Sequence, residues 1–291
     1  MKKNTFFSYT SVLIVYFIAI LLGKYTLDFL QLDSIYYEML IADALVTAVV
    51  FLFSYLFKNS SIYDPYWSVI PLLIAIYWIS LSPQGNEIRQ VLVLSVISIW
   101  SFRLTFNWIR SWPNLEHEDW RYKKLKEDSG KLYWLVSFFG IHLFPTLIVF
   151  LGLSPVLPAL QSQAPVSLFD MIGVLISISA VVIEYVSDEQ LRKFKKENST
   201  KAANMENGLW SVSRHPNYFG EILFWLGLFI IALSDGITSN GWTGIGFISM
   251  FLLFYFISIP MMEKRLVLNK NQYKEYQKKV PVLFPKIARI K

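Results

Sequence analysis

Two polar blocks and a charged tail interrupt an otherwise apolar chain, and each holds residue types that could grip an anion or handle a proton. The densest is Asn207-Gly-Leu-Trp-Ser-Val-Ser-Arg-His-Pro-Asn-Tyr-Phe-Gly-Glu221. Pro216 suits the first position of a helix, where its missing N–H would be an orphan anyway. Gly208 permits a tight turn ahead of it. The unpaired N–H groups of that helix start, beside Arg214 and His215, favour an anion. Asn217 and Glu221 share a face one turn apart, and Trp210 and Tyr218 suit either this site or anchorage at a membrane interface.

The second block is Glu184-Tyr-Val-Ser-Asp-Glu-Gln-Leu-Arg-Lys-Phe-Lys195. Glu184, Asp188, Arg192 and Lys195 recur at helical spacing and lie on one face. They form either a solvated ion ladder at a helix end or a site. Glu184, still inside apolar sequence, favours the site, because an ionisable group is costly there. The tail holds Glu263 and Arg265, then Tyr276 within Tyr-Lys-Glu-Tyr, and reads as a basic membrane-surface segment or as part of the site. Asp64-Pro-Tyr-Trp67 opens one apolar run. Arg103 lies within another and needs a partner, a phosphate or a water-filled cavity. His142, mid-span, reads as a packing residue.

The elements that must carry these residues follow from composition. Of 291 residues 54% are hydrophobic and 16% charged, well below the roughly 25% charged of soluble domains. A membrane helix needs about 20 apolar residues. Runs of that kind lie near 6–23, 37–57, 66–81, 88–108, 132–153, 168–187, 217–234 and 242–262. The prediction is an all-α polytopic transmembrane bundle of about eight spans, within a range of about seven to ten. Met1-Lys2-Lys3 precedes a first span that is read as retained, since no small-residue cleavage site follows it. Arg110, Arg121, Lys123, Lys124, Lys126 and Lys131 fill 110–131, and Arg192, Lys193, Lys195, Lys196 and Lys201 fill 192–201. The segments 153–167 and 234–242 hold no Lys or Arg. An even number of spans with both termini cytoplasmic puts every basic segment on the cytoplasmic side. The formal charge of +6 then reflects contact with anionic membrane lipid, not nucleic acid. Without cysteine, and with three histidines, no metal site is expected. The loops hold no Walker or Gly-x-Gly-x-x-Gly motif, and 154–165 reads as an external loop.

Taken together, Glu-Asp-Trp-Arg-Tyr at 118–122, Ser-Asp-x-Gln-Leu-Arg-x-Phe-Lys at 187–195, Gly-Leu-Trp-x-x-x-Arg-His-Pro-Asn-Tyr-Phe-Gly-Glu at 208–221 and Glu-x-Arg at 263–265 resemble the steroid 5-alpha-reductase superfamily. The closer likeness is to its bacterial membrane branch. The resemblance covers roughly 60–286 and implies N-terminal helices over 1–60, with a reductase-like catalytic domain over 61–291, in the inner membrane of a bacterium. It implies NADPH as cofactor and reduction of a polarised carbon–carbon double bond in a steroid or other lipid drawn from the bilayer. It assigns Glu184, Asp188, Arg192, Lys195, Gly208, Trp210, Arg214, His215, Asn217, Tyr218, Glu221, Glu263, Arg265 and Tyr276 to the cofactor site. In the steroid enzymes an intramembrane Glu and Tyr supply the acid. With no Glu at the matching place in the early spans, Asp64, Arg103 and Tyr122 are the catalytic candidates here.

Two other readings stay open. The Arg-His-Pro-x-Tyr block and the Tyr-x-x-Tyr tail also resemble the isoprenylcysteine and phospholipid methyltransferases that bind S-adenosylmethionine. Those enzymes usually carry paired glutamates where this chain has Glu263-Lys264, and they lack the 188–195 block. A non-enzymatic lipid-binding or transport bundle is the third reading, although no internal repeat of the kind seen in transporters is visible.

Overall fold

The computed structural model describes residues 3–198, 203–270 and 272–286; Met1, Lys2 and Lys201, used above as charge markers, lie outside them. All regular structure among the described residues is helical. In chain order the helices are α1 Lys3–Phe29, α2 Ile35–Leu56, α3 Tyr66–Ser80, α4 Glu87–Ser111, α5 Trp120–Ser129, α6 Tyr133–Val136, α7 Phe144–Gly152, α8 Val156–Gln161, α9 Leu168–Glu197, α10 Pro216–Ala232, α11 Ile237–Asn240, α12 Gly244–Leu252, α13 Ile259–Asn269 and α14 Tyr273–Lys279. Two π-helical stretches, Ser137–Leu143 and Leu253–Ser258, join α6 to α7 and α12 to α13.

Eight helical stretches among the described residues are long and apolar enough to cross a membrane: Thr5–Phe29, Ile35–Leu56, Ser60–Ser80, Glu87–Ser111, Trp120–Gln161, Leu168–Glu197, Pro216–Asp235 and Ile237–Asn269. Each matches one predicted run, and the chain is a multi-pass integral membrane protein. Helices are required there because hydrocarbon offers backbone groups no other partner. Two connections hold more structure than their composition suggested. The basic segment 110–131 contains α5, started by Asp119, whose side chain accepts from the Arg121 N–H. The proline-containing segment 154–165 contains α8, with Pro155 at its N-cap and Val156, Leu157, Ala159 and Leu160 buried. A proline at or just before a first turn starts a helix instead of breaking it.

The chain forms two compact units, Met1–Ser80 with Ile97–Phe150, and Leu81–Val96 with Leu151–Lys291. In the first unit α2 buries Met39, Ala42, Asp43, Val46, Thr47, Val50 and Ser54, a stripe of helical period in which Asp43, Thr47 and Ser54 are polar. In the second, α9 and α10 approach until their backbones nearly touch. A Cβ on Gly227 would stand 2.2 Å from Ser177 Oγ and 2.7 Å from the Gly173 carbonyl oxygen, and one on Gly220 would stand 2.5 Å from Glu184 Cγ. Small residues at helix contacts are how membrane helices gain close packing where the hydrophobic effect gives none. The second unit also holds a fully buried ion pair, Arg89 Nε to Asp170 Oδ1 at 2.6 Å. The rest of the Arg89 guanidinium donates to Ser162, Ala164 and Pro165.

Candidate functional site

The first unit gathers buried polar groups around α2. Tyr66, the first residue of α3, donates its hydroxyl to Asp43 Oδ1 at 2.6 Å. Asp43 is 5% exposed and Tyr66 2%. The pair joins the middle of one span to the start of the next, and sequence reading passed over it. A single carboxylate within the run Leu40-Ile-Ala-Asp-Ala-Leu45 was the available signal. Its partner lies 23 positions on and becomes a partner only once α2 and α3 pack. Around the two, Tyr63 stacks on Tyr66 with ring centroids 5.3 Å apart, and Tyr16 meets Tyr66 edge-on at 6.0 Å.

Asp64 and Tyr122, two of the three sequence candidates, do come together: the Tyr122 hydroxyl donates to Asp64 Oδ1 in a short hydrogen bond. What positions them is the turn 59–61, laced onto the loop before α5. Asn59 Nδ2 donates to the Leu115 and His117 carbonyls, Glu118 Oε1 accepts from the Ser60 N–H, and Ser61 Oγ accepts from the Asp119 N–H. Arg103 is half-buried along α4. His142 is buried in the π-helical stretch, with Nδ1 at 2.9 Å from the Ser137 carbonyl and Nε2 at 3.1 Å from Ser54 Oγ, which suits the packing role predicted for it.

The second unit sorts the predicted cofactor residues into three groups. The first is a clasp. Arg214 Nε donates to Glu263 Oε1 at 2.6 Å and Nη2 to Oε2 at 3.2 Å, while Nη1 donates to the Gln277 and Val280 carbonyls at 2.8 and 2.7 Å. His215 Nε2 lies 3.1 Å from Glu263 Oε1, and Gln277 Nε2 donates to Oε2 at 2.9 Å. Tyr276 donates to the Trp210 carbonyl at 2.5 Å, and Trp210 Nε1 to the Ser187 carbonyl at 3.0 Å. Burial holds the Tyr276 phenol above its ordinary pKa, so it stays a neutral donor. Arg214, expected to grip a phosphate, thus has most of its N–H groups engaged by protein.

The second group lies in the α9–α10 seam. Glu184 is 2% exposed and Glu221 4%; Glu221 Oε1 accepts from Trp225 Nε1 at 3.0 Å. At the mouth of α10, Asn217 is half-buried and Tyr218 stacks on His215, with centroids 5.4 Å apart. Gly208 takes a positive φ of 61° just where a Cβ would meet the Gln190 amide, so the tight turn expected of it is present.

The third group is cationic. Lys195 lies within electrostatic reach of Asp188, Arg192 and Arg265, and Arg192 pairs with Glu189 one turn back. Lys270 joins them, a residue sequence reading did not single out. Its Nζ donates to the Ala203 carbonyl at 2.5 Å and lies 5.9 Å from the Phe194 ring. Burial, and after it the charge of Lys195, hold the Lys270 ammonium below the usual lysine pKa. Cations crowded this way form a ready site for a phosphate.

The profile of a family described as Protein of unknown function (DUF1295) matches residues 50–280. The chain belongs to this family. It is 25% identical over 254 residues to Uncharacterized protein C594.04c of Schizosaccharomyces pombe, covering 79% of this chain and 74% of that one. It is 35% identical over 77 residues to Steroid 5-alpha-reductase DET2 of Arabidopsis thaliana, covering 26% of this chain and 27% of the relative. The family membership and the second match together place the chain in the steroid 5-alpha-reductase-like superfamily. No solved structure matches it significantly.

Proposed function

We propose that the chain is an NADPH-dependent membrane reductase of a polarised carbon–carbon double bond in a steroid-like or other lipid substrate. The observation that carries this reading is the Asp43–Tyr66 pair, a buried carboxyl within α2 and a buried phenol at the start of α3 held 2.6 Å apart. Reducing an enone sends hydride to the β-carbon and negative charge to the carbonyl oxygen. A donor aimed in advance at that oxygen usually gives the largest stabilisation. Asp43, when protonated, carries such an O–H, and Tyr66, which donates its own hydrogen to Oδ1, fixes the direction of the carboxyl. The similarity to a steroid 5-alpha-reductase, by that relative's name, supports the same reaction class.

NADPH, when bound, would supply the hydride. Arg192, Lys195, Arg265 and Lys270 fit its phosphates, the arginines as forks and the lysines as point charges. Asn217 and Glu221 suit the nicotinamide amide or the ribose hydroxyls. S-adenosylmethionine has no phosphate to offer the same cations. The clasp of Arg214, Glu263 and Tyr276 orders the loop before α10 instead of touching the ligand. Asp64 and Tyr122 stand as the alternative acid. In this reading the basic segments face the cytoplasm, both termini lie there, and the substrate enters from the bilayer of an inner membrane.

The test is a thermal-shift comparison of the protein in mild detergent with NADPH, NADH and S-adenosylmethionine, followed by NADPH oxidation with enone lipids. Binding at a hundredfold excess over Kd stabilises the folded state by about 2.7 kcal/mol. Stabilisation by NADPH, then its oxidation with an enone lipid, is the expected result. Stabilisation by S-adenosylmethionine alone overturns the reading in favour of a methyltransferase.

A further inference from the structure

Between α10 and α12 runs a groove with a volume of about 320 Å³, every lining residue of which is apolar. Phe219, Leu223 and Leu226 of α10 form one wall, and Phe247, Ile248 and Phe251 of α12 the other. Both walls belong to the second unit and to membrane-crossing stretches, so the groove lies at the depth of lipid chains. It is bounded at both ends. At one, Gly244 packs on the Phe229 ring so closely that a Cβ would stand 3.1 Å from it. At the other, Phe284 of the tail closes over Phe219 and Phe251, with ring centroids 6.1 and 6.5 Å apart.

Phe284 follows the last span yet is 62% exposed, and Ile248 on the rim of the groove is 52% exposed. A lipid chain lying in the groove covers both, where water would leave their apolar surface unburied. The tail around Phe284 is fixed by its neighbours. Leu283 is fully buried and its carbonyl accepts from Ser213 Oγ at 2.7 Å, while the Lys286 N–H donates to the Val212 carbonyl at 3.1 Å. That last bond also sets a cation at the mouth of the groove. Lys286 is exposed, and two residues of chain keep its Cα within about 7 Å of that of Phe284. An apolar slot with an ammonium at its end matches the two parts of an anionic phospholipid.

The reacting substrate is not the occupant. At 3.6 residues per turn, Phe219, Leu223 and Leu226 lie roughly 140–160° around α10 from Glu221. The groove therefore faces away from the side of α10 assigned to the cofactor. We propose that the α10–α12 groove binds one acyl chain of an anionic phospholipid whose phosphate pairs with Lys286. This goes beyond the reductase reading and does not depend on it, since the binding involves no reaction.

The test is native mass spectrometry of the full-length protein in mild detergent. It is titrated with dioleoyl phosphatidylglycerol, with dioleoyl phosphatidylcholine, and with glycerol 3-phosphate as a headgroup lacking chains. One saturable phosphatidylglycerol adduct is expected, with weaker binding of phosphatidylcholine and none of glycerol 3-phosphate. Ile248→Trp fills the groove from its exposed rim and is expected to abolish the adduct. Leu175→Trp, at a position on α9 that is 66% exposed, is expected to keep it. Lys286→Gln should raise Kd for phosphatidylglycerol about fivefold, as for one lysine beside an anionic lipid surface, and leave phosphatidylcholine unchanged. Melting temperatures without added lipid show that each variant is folded. If Ile248→Trp is not, Phe284→Ala, outside the spans, is read in its place and is expected to weaken the adduct. Adducts that never saturate, equal Kd for the two lipids, glycerol 3-phosphate binding as tightly as the lipid, or an adduct that survives both groove variants overturns the proposal.

Discussion

Arg214 and Glu263 meet fork to fork, with Nε to Oε1 at 2.6 Å and Nη2 to Oε2 at 3.2 Å. The remaining bonds of that guanidinium tie down two carbonyls of the tail, so its loss takes the bidentate cation from a partly buried carboxylate and a donor from each of two carbonyls. Arg214→Ala is expected to cost about 2–4 kcal/mol of stability, discounted for partial exposure, and Arg214→Lys to recover little of it, since an ammonium cannot bridge both oxygens. Thermal unfolding in detergent measures this. An Arg214→Ala protein as stable as wild type but blind to NADPH would restore the phosphate role read from sequence.

The two candidate acids separate by a pair of phenol deletions. Tyr66→Phe and Asp43→Asn are expected to lower turnover roughly 100- to 10,000-fold, the range for a lost acid–base group, while the thermal shift given by NADPH persists. Tyr122→Phe is expected to be milder, because it loosens the α5 loop. If Tyr122→Phe abolishes turnover and Tyr66→Phe does not, the acid is the Asp64–Tyr122 pair.

Gly227→Ala is expected to destabilise the protein by about 1–3 kcal/mol, the usual cost of overpacking. The new methyl would lie 2.7 Å from a carbonyl oxygen of the facing helix, and backbone does not yield as a flexible side chain does. Gly140→Ala serves as the control, since nothing lies within 4 Å of the place its methyl would take. Equal melting temperatures for the two variants would contradict the close α9–α10 contact.

Lys270 offers a probe of the cationic group. Lys270→Gln removes a like charge beside Lys195, so the unliganded protein should keep its stability, while Kd for NADPH should rise about tenfold through loss of one charge-assisted bond. Isothermal titration at two salt concentrations reads both, and the loss should shrink at higher salt. Unchanged affinity would move the phosphates away from these lysines.

The bundle was legible because a membrane span is a statement about composition over about twenty residues, and composition is visible without tertiary structure. The 208–221 block was legible for a related reason: Gly208 and Pro216 impose local geometry, and both take the predicted place. Asp43 was not, because one acidic residue in an apolar run gains meaning only from a partner brought by folding. Arg214 shows the opposite failure. Its residue type suits a phosphate, but type alone does not say that Glu263, 49 positions on, already occupies the fork. Lys270 sat in a tail that composition describes merely as basic.

The tail also sets an order of events. Ser213 Oγ donates to the Leu283 carbonyl, the Arg214 N–H to the Pro281 carbonyl, and the Lys286 N–H to the Val212 carbonyl. The loop that leads into α10 is therefore completed by residues translated 70 positions later in the case of Ser213 and Leu283, after the last span has been made. During synthesis the polypeptide can thread all its spans into the bilayer while that loop is still unfinished. A ribosome that stops short of Pro281 would release a product that passes any test of membrane insertion yet lacks an ordered entrance to α10, a defect that topology mapping would miss and limited proteolysis near 208–215 would reveal.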